Sequence, residues 1–356
     1  RNLVANQSIS EDDTQFENIS PVIDLHPTGF KITTTRGDWN TSSGTYIYIA
    51  IRRGPLAVPE DATDVFDIAD MSSFVNNHIV SITPDAALLP FRTSSYDDGT
   101  NSYPEMFDRL RGNGGLQTSN NRSENTGRNG AWDYMDRFTG VYSTGAWMWK
   151  RAPGYFDAVA YSGNGTAGRT VSHNLGVAPE MMWVKSRSNS YSWYVYHKDL
   201  GATKFLELDG SGAENTGTLW TSTPFTDTAF YLNGAGAVNG SGSTYIAYLF
   251  ASCPGVSKVG SYTGDGSTDG SKVIDCGFTS GARFVLIKPT SYSDSWFVFD
   301  AERGITAGND PRLKLDTTDA EAAYDLIDPA SSGFTPSTGT GNLNQSGETY
   351  IFYAIA

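Results

Sequence analysis

The strongest apolar patterning in the chain lies in three stretches: Thr45-Tyr46-Ile47-Tyr48-Ile49-Ala50-Ile51, Thr244-Tyr245-Ile246-Ala247-Tyr248-Leu249-Phe250 and Thr349-Tyr350-Ile351-Phe352-Tyr353-Ala354-Ile355. Each is an uncharged run rich in β-branched and aromatic residues with Ser and Gly just before it, the pattern of a buried strand entered from a turn. Pro55 and Pro254 stand nine residues after the first tyrosine in two of the copies, and only Ala356 follows the third. The stretch therefore reads as the strand that closes a repeating unit.

Other landmarks recur in a fixed order, which is how repeat architectures show themselves in sequence. Tyr161-Ser162-Gly163-Asn164-Gly165 matches Tyr262-Thr263-Gly264-Asp265-Gly266, and Lys185 precedes Trp193 by the same eight residues that separate Lys288 from Trp296. Phe107 to Gly112, Tyr196 to Gly201 and Phe299 to Gly304 share the form aromatic, four residues, glycine. A leucine precedes a glutamate by eight residues at Leu3 and Glu11, Leu116 and Glu124, Leu206 and Glu214, and Leu313 and Glu321. These landmarks divide the chain into units of about 100 residues, 56–153, 154–254 and 255–356, preceded by 1–55, which holds only the later landmarks and reads as the C-terminal part of a unit. Arg1 in place of a methionine agrees with a chain that begins inside a domain.

In the last two units, short runs at 158–162, 169–173, 181–185, 193–197, 204–208 and 229–232, and at 259–262, 272–276, 283–288, 296–300 and 312–315, predict strands ahead of each closing strand. Strands this short and numerous, separated by Gly, Asn and Ser turns, predict an all-β fold of tandem antiparallel β-sandwich modules. In the divergent second unit Ile79 to Ile82 stands for Trp183-Val184-Lys185, and the polar stretches 92–104 and 112–130 are the loops where binding specificity is expected. Gly29 to Thr33 predicts a strand paired with Thr45 to Ile51, residues 54–66 read as a linker, and Asp319 to Ile327 is the one plausible short helix.

Composition narrows the function classes. With 38 glycines and 18% charged residues the chain is rich in turns and poor in exposed helix, consistent with the all-β reading. A net charge of −14 argues against a nucleic-acid partner, which needs clustered Lys and Arg. No apolar run is long enough for a membrane helix, so membrane insertion is not expected. Cys253 and Cys276 are too few for a disulfide framework and are expected as small buried hydrophobes.

No HExxH, CxxC, P-loop or GxSxG motif is present, and His26, His78, His173 and His197 have no metal-ligand spacing, so neither an enzyme nor a cofactor or metal is expected. Asp265 to Gly270 resembles a calcium loop, but Asn164 to Gly168 in the matching place carries no acid, and the Asp-Gly pairs predict a tight hairpin. The four repeated glutamates are expected to hold turns by accepting backbone N–H groups, and Lys185 and Lys288 to lie over the following tryptophan. Trp193 and Trp296, at repeated positions, are expected in the core. Trp39, Trp132 and Trp220, in polar loop-like surroundings, are the candidates for carbohydrate contact.

The runs HNLGVAPEMMWVKSRS (173–188), STYIAYLFASCPGVSKVGSYTG (243–264), GFTSGARFVLIK (277–288) and SGETYIFYAIA (346–356) resemble the repeated modules of large structural, tail-fibre-like proteins of tailed bacteriophages, many from marine and cyanobacterial hosts. The resemblance implies a virion protein, a segment of a tail fibre or other appendage. Its implied partners are other virion proteins, copies of itself as a homo-oligomer (a trimer in fibres of this kind) and a host cell-surface glycan. A carbohydrate-binding or carbohydrate-active module and a bacterial surface adhesin remain as alternatives.

Overall fold

A computed structural model describes residues 23–26, 29–32, 40–48, 57–69, 75–90, 103–112, 114–126, 132, 137–143, 145–268, 270–337 and 343–356. Near the N-terminus β1 (Ile23–His26) pairs with β2 (Gly29–Ile32), so the strand foreseen at Gly29 exists but takes a different partner. Residues 45–48 of the first closing stretch are in no strand, and 49–51 lie outside the described residues.

From Phe66 onward one strand order appears three times. The first instance contains β3 (Phe66–Ala69), β4 (Val75–Ile79), β5 (Ala86–Leu89), β6 (Glu105–Asp108), β7 (Leu116–Gln117), β8 (Arg137–Ser143) and β9 (Ala146–Trp149), in a sheet β3-β9-β5-β6-β7 and a pair β4-β8. The middle instance contains β10 (Phe156–Ser162), β11 (Arg169–Ser172), β12 (Met181–Ser186), β13 (Tyr194–His197), β14 (Lys204–Glu207), β15 (Asn215–Thr216), β16 (Ala229–Leu232) and β17 (Thr244–Phe250), ordered β10-β17-β12-β13-β14-β15 with β11-β16. The last contains β18 (Ser257–Thr263), β19 (Ile274–Asp275), β20 (Phe284–Pro289), β21 (Phe297–Asp300), β22 (Asp310–Lys314), β23 (Ala322–Tyr324), β24 (Ile327–Ala330), β25 (Gly333–Pro336) and β26 (Thr349–Ile355), ordered β18-β26-β20-β21-β22-β23 with β19-β25-β24. All pairings are antiparallel, and each closing strand lies between the first and third strands of its unit, inside the sheet. An exposed closing-strand edge therefore cannot be what recruits other copies of the chain.

Strand periodicity explains why the closing runs are apolar throughout rather than alternating. Tyr245, Ala247 and Leu249 of β17 face Val171 and Phe230 in the core of their own sandwich. Their neighbours Ile246, Tyr248 and Phe250 face the other way, into a cluster shared with Trp147 and Trp149 of the first repeat and Phe284 and Tyr353 of the last. Each repeat touches the other two across this shared core: Trp149 against Phe156, Phe250 against Tyr353, and Phe66 and Trp149 against Phe284. The closing strands of the middle and last repeats are thus buried on both faces.

Three sequence readings change here. Residues 57–66 are not a linker: Asp61 caps a single 3-10 turn at Ala62–Asp64, and Ala62, Val65 and Phe66 enter the shared core. Asp319 to Ile327 is not a helix; it holds the short edge strand β23 and the first residue of β24, and the one-turn α1 (Gly236–Asn239) lies elsewhere. The strand equivalent to Trp183-Val184-Lys185 is β5 (Ala86–Leu89), paired between β9 and β6, and not Ile79 to Ile82. Cys253 and Cys276 are free and buried, as expected.

Candidate functional site

Two of the three tryptophans proposed for sugar contact, Trp132 and Trp220, do not offer a face to solvent. Trp132 is 3% exposed beneath the Arg109 guanidinium, 4.8 Å away, and Trp220 is 2% exposed. The Trp220 ring packs edge-on against Tyr196 and its Nε1 donates to the Lys204 carbonyl at 3.1 Å. Trp39 lies outside the described residues.

Trp193 and Trp296 are core residues with a second task. Trp193 Nε1 donates to the carbonyl of Gln117 at 2.7 Å, and Trp296 Nε1 to that of Glu207 at 2.9 Å. Gln117 on β7 and Glu207 on β14 hold equivalent places, so each ring is hydrogen-bonded to the preceding repeat. The lysines follow the same rule. Lys185 Nζ donates to the carbonyls of Tyr191 (2.7 Å) and Asn121 (3.2 Å), and Lys288 Nζ to those of Asp294 (2.6 Å) and Ser211 (3.2 Å). Asn121 and Ser211 again belong to the preceding repeat. Both ammonium groups are fully buried rather than laid over a ring, and burial lowers the pKa of each to about 8. Of the loops expected to carry specificity, 92–102, 113 and 127–130 lie outside the described residues, and the described part of 112–130 serves this seam: the Glu124 N–H donates to Arg187 O at 2.8 Å, as Glu214 N–H does to Thr290 O at 2.8 Å.

The repeated glutamates are ion-pair partners, not acceptors of backbone N–H groups at turns. Glu124 pairs with Arg111 and Arg187, each at 2.9 Å, Glu214 with Lys204, and Glu321 with Arg303 at 3.5 Å, while Glu11 is outside the described residues. The aromatic, four residues, glycine landmark is the turn after β6, β13 and β21, whose glycines Gly112, Gly201 and Gly304 have φ of 68°, 79° and 112°. At the strand end before that turn stand Asp108, His197 and Asp300. Asp108 accepts from Tyr248 Oη of the middle repeat at 2.6 Å, and Asp300 from Trp147 Nε1 of the first at 3.1 Å. In the Asp265 turn the carboxylate accepts from Ser267 and Asn344, bonds that lower its pKa to about 2; the turn is not the expected hairpin, because β18 and β19 on either side of it pair with β26 and β25 in different sheets.

The contacts of Trp193, Trp296, Lys185, Lys288, Asp108 and Asp300 bind repeat to repeat, and sequence reasoning missed them because donor and acceptor belong to different units. Among the described residues no group of three or more His, Cys, Asp or Glu is placed to hold a metal. An open cleft lined by Ser252, Pro254, Lys258 and Cys276 holds a thiol whose pKa burial pushes up to about 12, which keeps it protonated and unreactive.

Residues 108–356, more than half of the chain, match the family described as a domain of unknown function, DUF7483, and the chain belongs to that family. No curated protein and no solved structure matches it.

Proposed function

We propose that the chain is a structural segment of a bacteriophage virion appendage, a tail fibre or similar projection, that contributes to assembly and host-surface attachment. The observation that carries this reading is the shared core. Consecutive domains commonly meet through modest polar interfaces and move relative to one another. Here the large sheets of three sandwiches pack into one another with Trp147, Trp149, Phe250, Phe284 and Tyr353 between them, and Lys185, Lys288, Trp193 and Trp296 pin the seams. Such a body is stiff, which suits a part that must hold its shape on a particle. The resemblance of the repeated runs to phage tail-fibre-like modules points the same way, and other virion proteins and further copies of the chain are the proposed partners. A bacterial surface adhesin would also benefit from stiffness, but has no such resemblance behind it.

Mass spectrometry of purified particles from a phage that encodes this chain tests the reading. Peptides from it are expected in particles banded in a density gradient, with antibody label on an external projection. A chain found only in the lysate and absent from banded particles would overturn it.

A further inference from the structure

The middle repeat differs from its neighbours at one place on its large sheet. On the face toward its own sandwich core, the register sets Tyr194 opposite Glu207 and Phe205 opposite Asn215. The two rings meet at 5.4 Å and 70°, forming a diagonal with a carboxylate and a carboxamide at the other corners. Tyr194 and Phe205 pack at the margin of the core between this sheet and the two-stranded sheet β11-β16. Tyr194, Phe205 and Glu207 are half-buried and Asn215 is exposed.

The fold does not require that surface, because the other repeats fill the same four positions with different residues. In the first, Glu105 stands opposite Gln117 and Gly115 opposite Asn125, with Glu105, Gly115 and Gln117 all buried. In the last, Phe297 stands opposite Lys314 and Arg312 opposite Ala322. There the Arg312 guanidinium lies over both Phe297 (4.8 Å) and Tyr324 (4.2 Å), and Phe297 is only 3% exposed. Among the described residues, only in the middle repeat do two partly accessible rings lie at these positions beside hydrogen-bonding side chains with no arginine capping them.

We infer that Tyr194, Phe205, Glu207 and Asn215 form a binding platform for an uncharged glycan. A pyranose presents C–H groups on its faces and hydroxyls around its rim. The rings of Tyr194 and Phe205 take the C–H face, the Glu207 carboxylate accepts from hydroxyls, and the Asn215 amide donates and accepts at the opposite corner. A purely apolar protein partner would leave the Glu207 carboxylate buried without a donor, which is costly. An anionic glycan would meet that carboxylate and a chain of net charge −14, so the neutral class is the one that fits. Asp209 next to the platform is already committed, accepting the Trp193 N–H at 2.9 Å. The inference deepens the proposed attachment function and rests on it for its biological setting, but binding is measured without the particle.

The experiment titrates the full chain with cellopentaose, maltopentaose and chitopentaose, followed by saturation-transfer NMR and calorimetry. At least one is expected to bind, with saturation reaching the ring protons of tyrosine and phenylalanine. Tyr194→Ala with Phe205→Ala should weaken it by about tenfold or more, and Glu207→Gln or Asn215→Ala severalfold with an unchanged urea midpoint. If the double variant does not fold, the two polar variants decide. No binding by any of the three saccharides, or binding that all the variants leave unchanged, overturns the platform. Presence of the chain in particles without saccharide binding defeats the platform alone, whereas saccharide binding by a chain absent from particles defeats only the virion reading.

Discussion

At the scale of single residues, burial decides what the tryptophans do, and burial was only half visible in the sequence. Trp296 sits at a repeated position and is 1% exposed, while Trp220 lies in a polar loop and is 2% exposed. Replacing either by alanine is expected to cost about 3–5 kcal/mol, the range for emptying a large buried aromatic site; urea melts of the full chain check it, and a Trp220→Ala midpoint equal to the parent's would return that ring to the surface. His197 gives a second prediction. It takes the place of Asp108 and Asp300, has Leu200 where they have Arg111 and Arg303, and accepts the Asp199 N–H on Nδ1 at 3.2 Å. Burial pushes its pKa down to about 4, against a weaker upward pull from Asp199. Because the unfolded chain takes up the proton near pH 6.5 and the folded one does not until about pH 4, the unfolded state binds more protons between those values. The stability from neutral His197 is therefore full above pH 6.5 and lost as pH falls toward 4. The urea midpoint should drop across that window more steeply for the parent than for His197→Asn, and parallel curves would show that the imidazole titrates normally.

At the scale of elements, the landmarks that were legible are those where the backbone demands one residue. Tyr161 and Tyr262 lie beside Tyr245 and Tyr350, in stacked pairs at 5.2 and 4.8 Å, and their hydroxyls donate to Val238 O at 2.8 Å and Leu343 O at 2.7 Å. The glycine that follows each has no room for a side chain: a Cβ on Gly163 would come within 2.2 Å of Gly240 O, and one on Gly264 within 2.0 Å of Gln345 O. Gly163→Ala and Gly264→Ala are each expected to cost about 1–3 kcal/mol through the backbone shift they force, read from urea midpoints beside Ser261→Ala, an exposed neighbour that should be nearly silent. Elements whose fate depends on distant neighbours were not legible. β5 ends at Pro90 where the others carry Lys185 and Lys288, so the landmark that would have aligned it is missing, and Ile79 to Ile82 was the nearer apolar run. Ala62, Val65 and Phe66 sit among prolines and acids that read as a connector, and only contact with the other repeats makes them core. The platform residues were equally hidden, because Tyr194 and Glu207 are set side by side only by the pairing of β13 with β14, and Phe205 and Asn215 by that of β14 with β15.

At the scale of the whole molecule, the period of the sequence showed that there are units but not that they share a core. The hint was the uninterrupted apolar character of Thr244 to Phe250 and Thr349 to Ile355: a sandwich with one wet face would alternate polar and apolar residues along each strand. Because the outward faces of the large sheets are buried against one another, removing one repeat strips apolar contacts from the other two. Residues 57–356 should then unfold together, giving a single calorimetric endotherm whose measured enthalpy equals the van't Hoff value. Tyr353→Asp tests the coupling, since it places a carboxylate in the shared core beside Phe250 of the middle repeat and Phe284 of its own. An unpaired buried charge of this kind is strongly destabilising. If the core is shared, the substitution lowers one common transition and the near-ultraviolet signals of Trp147, Trp183 and Trp296 are lost together. If the repeats are independent, the last unfolds early and the others keep the parent's midpoint; two resolved endotherms in that variant would refute the single body on which the structural role depends.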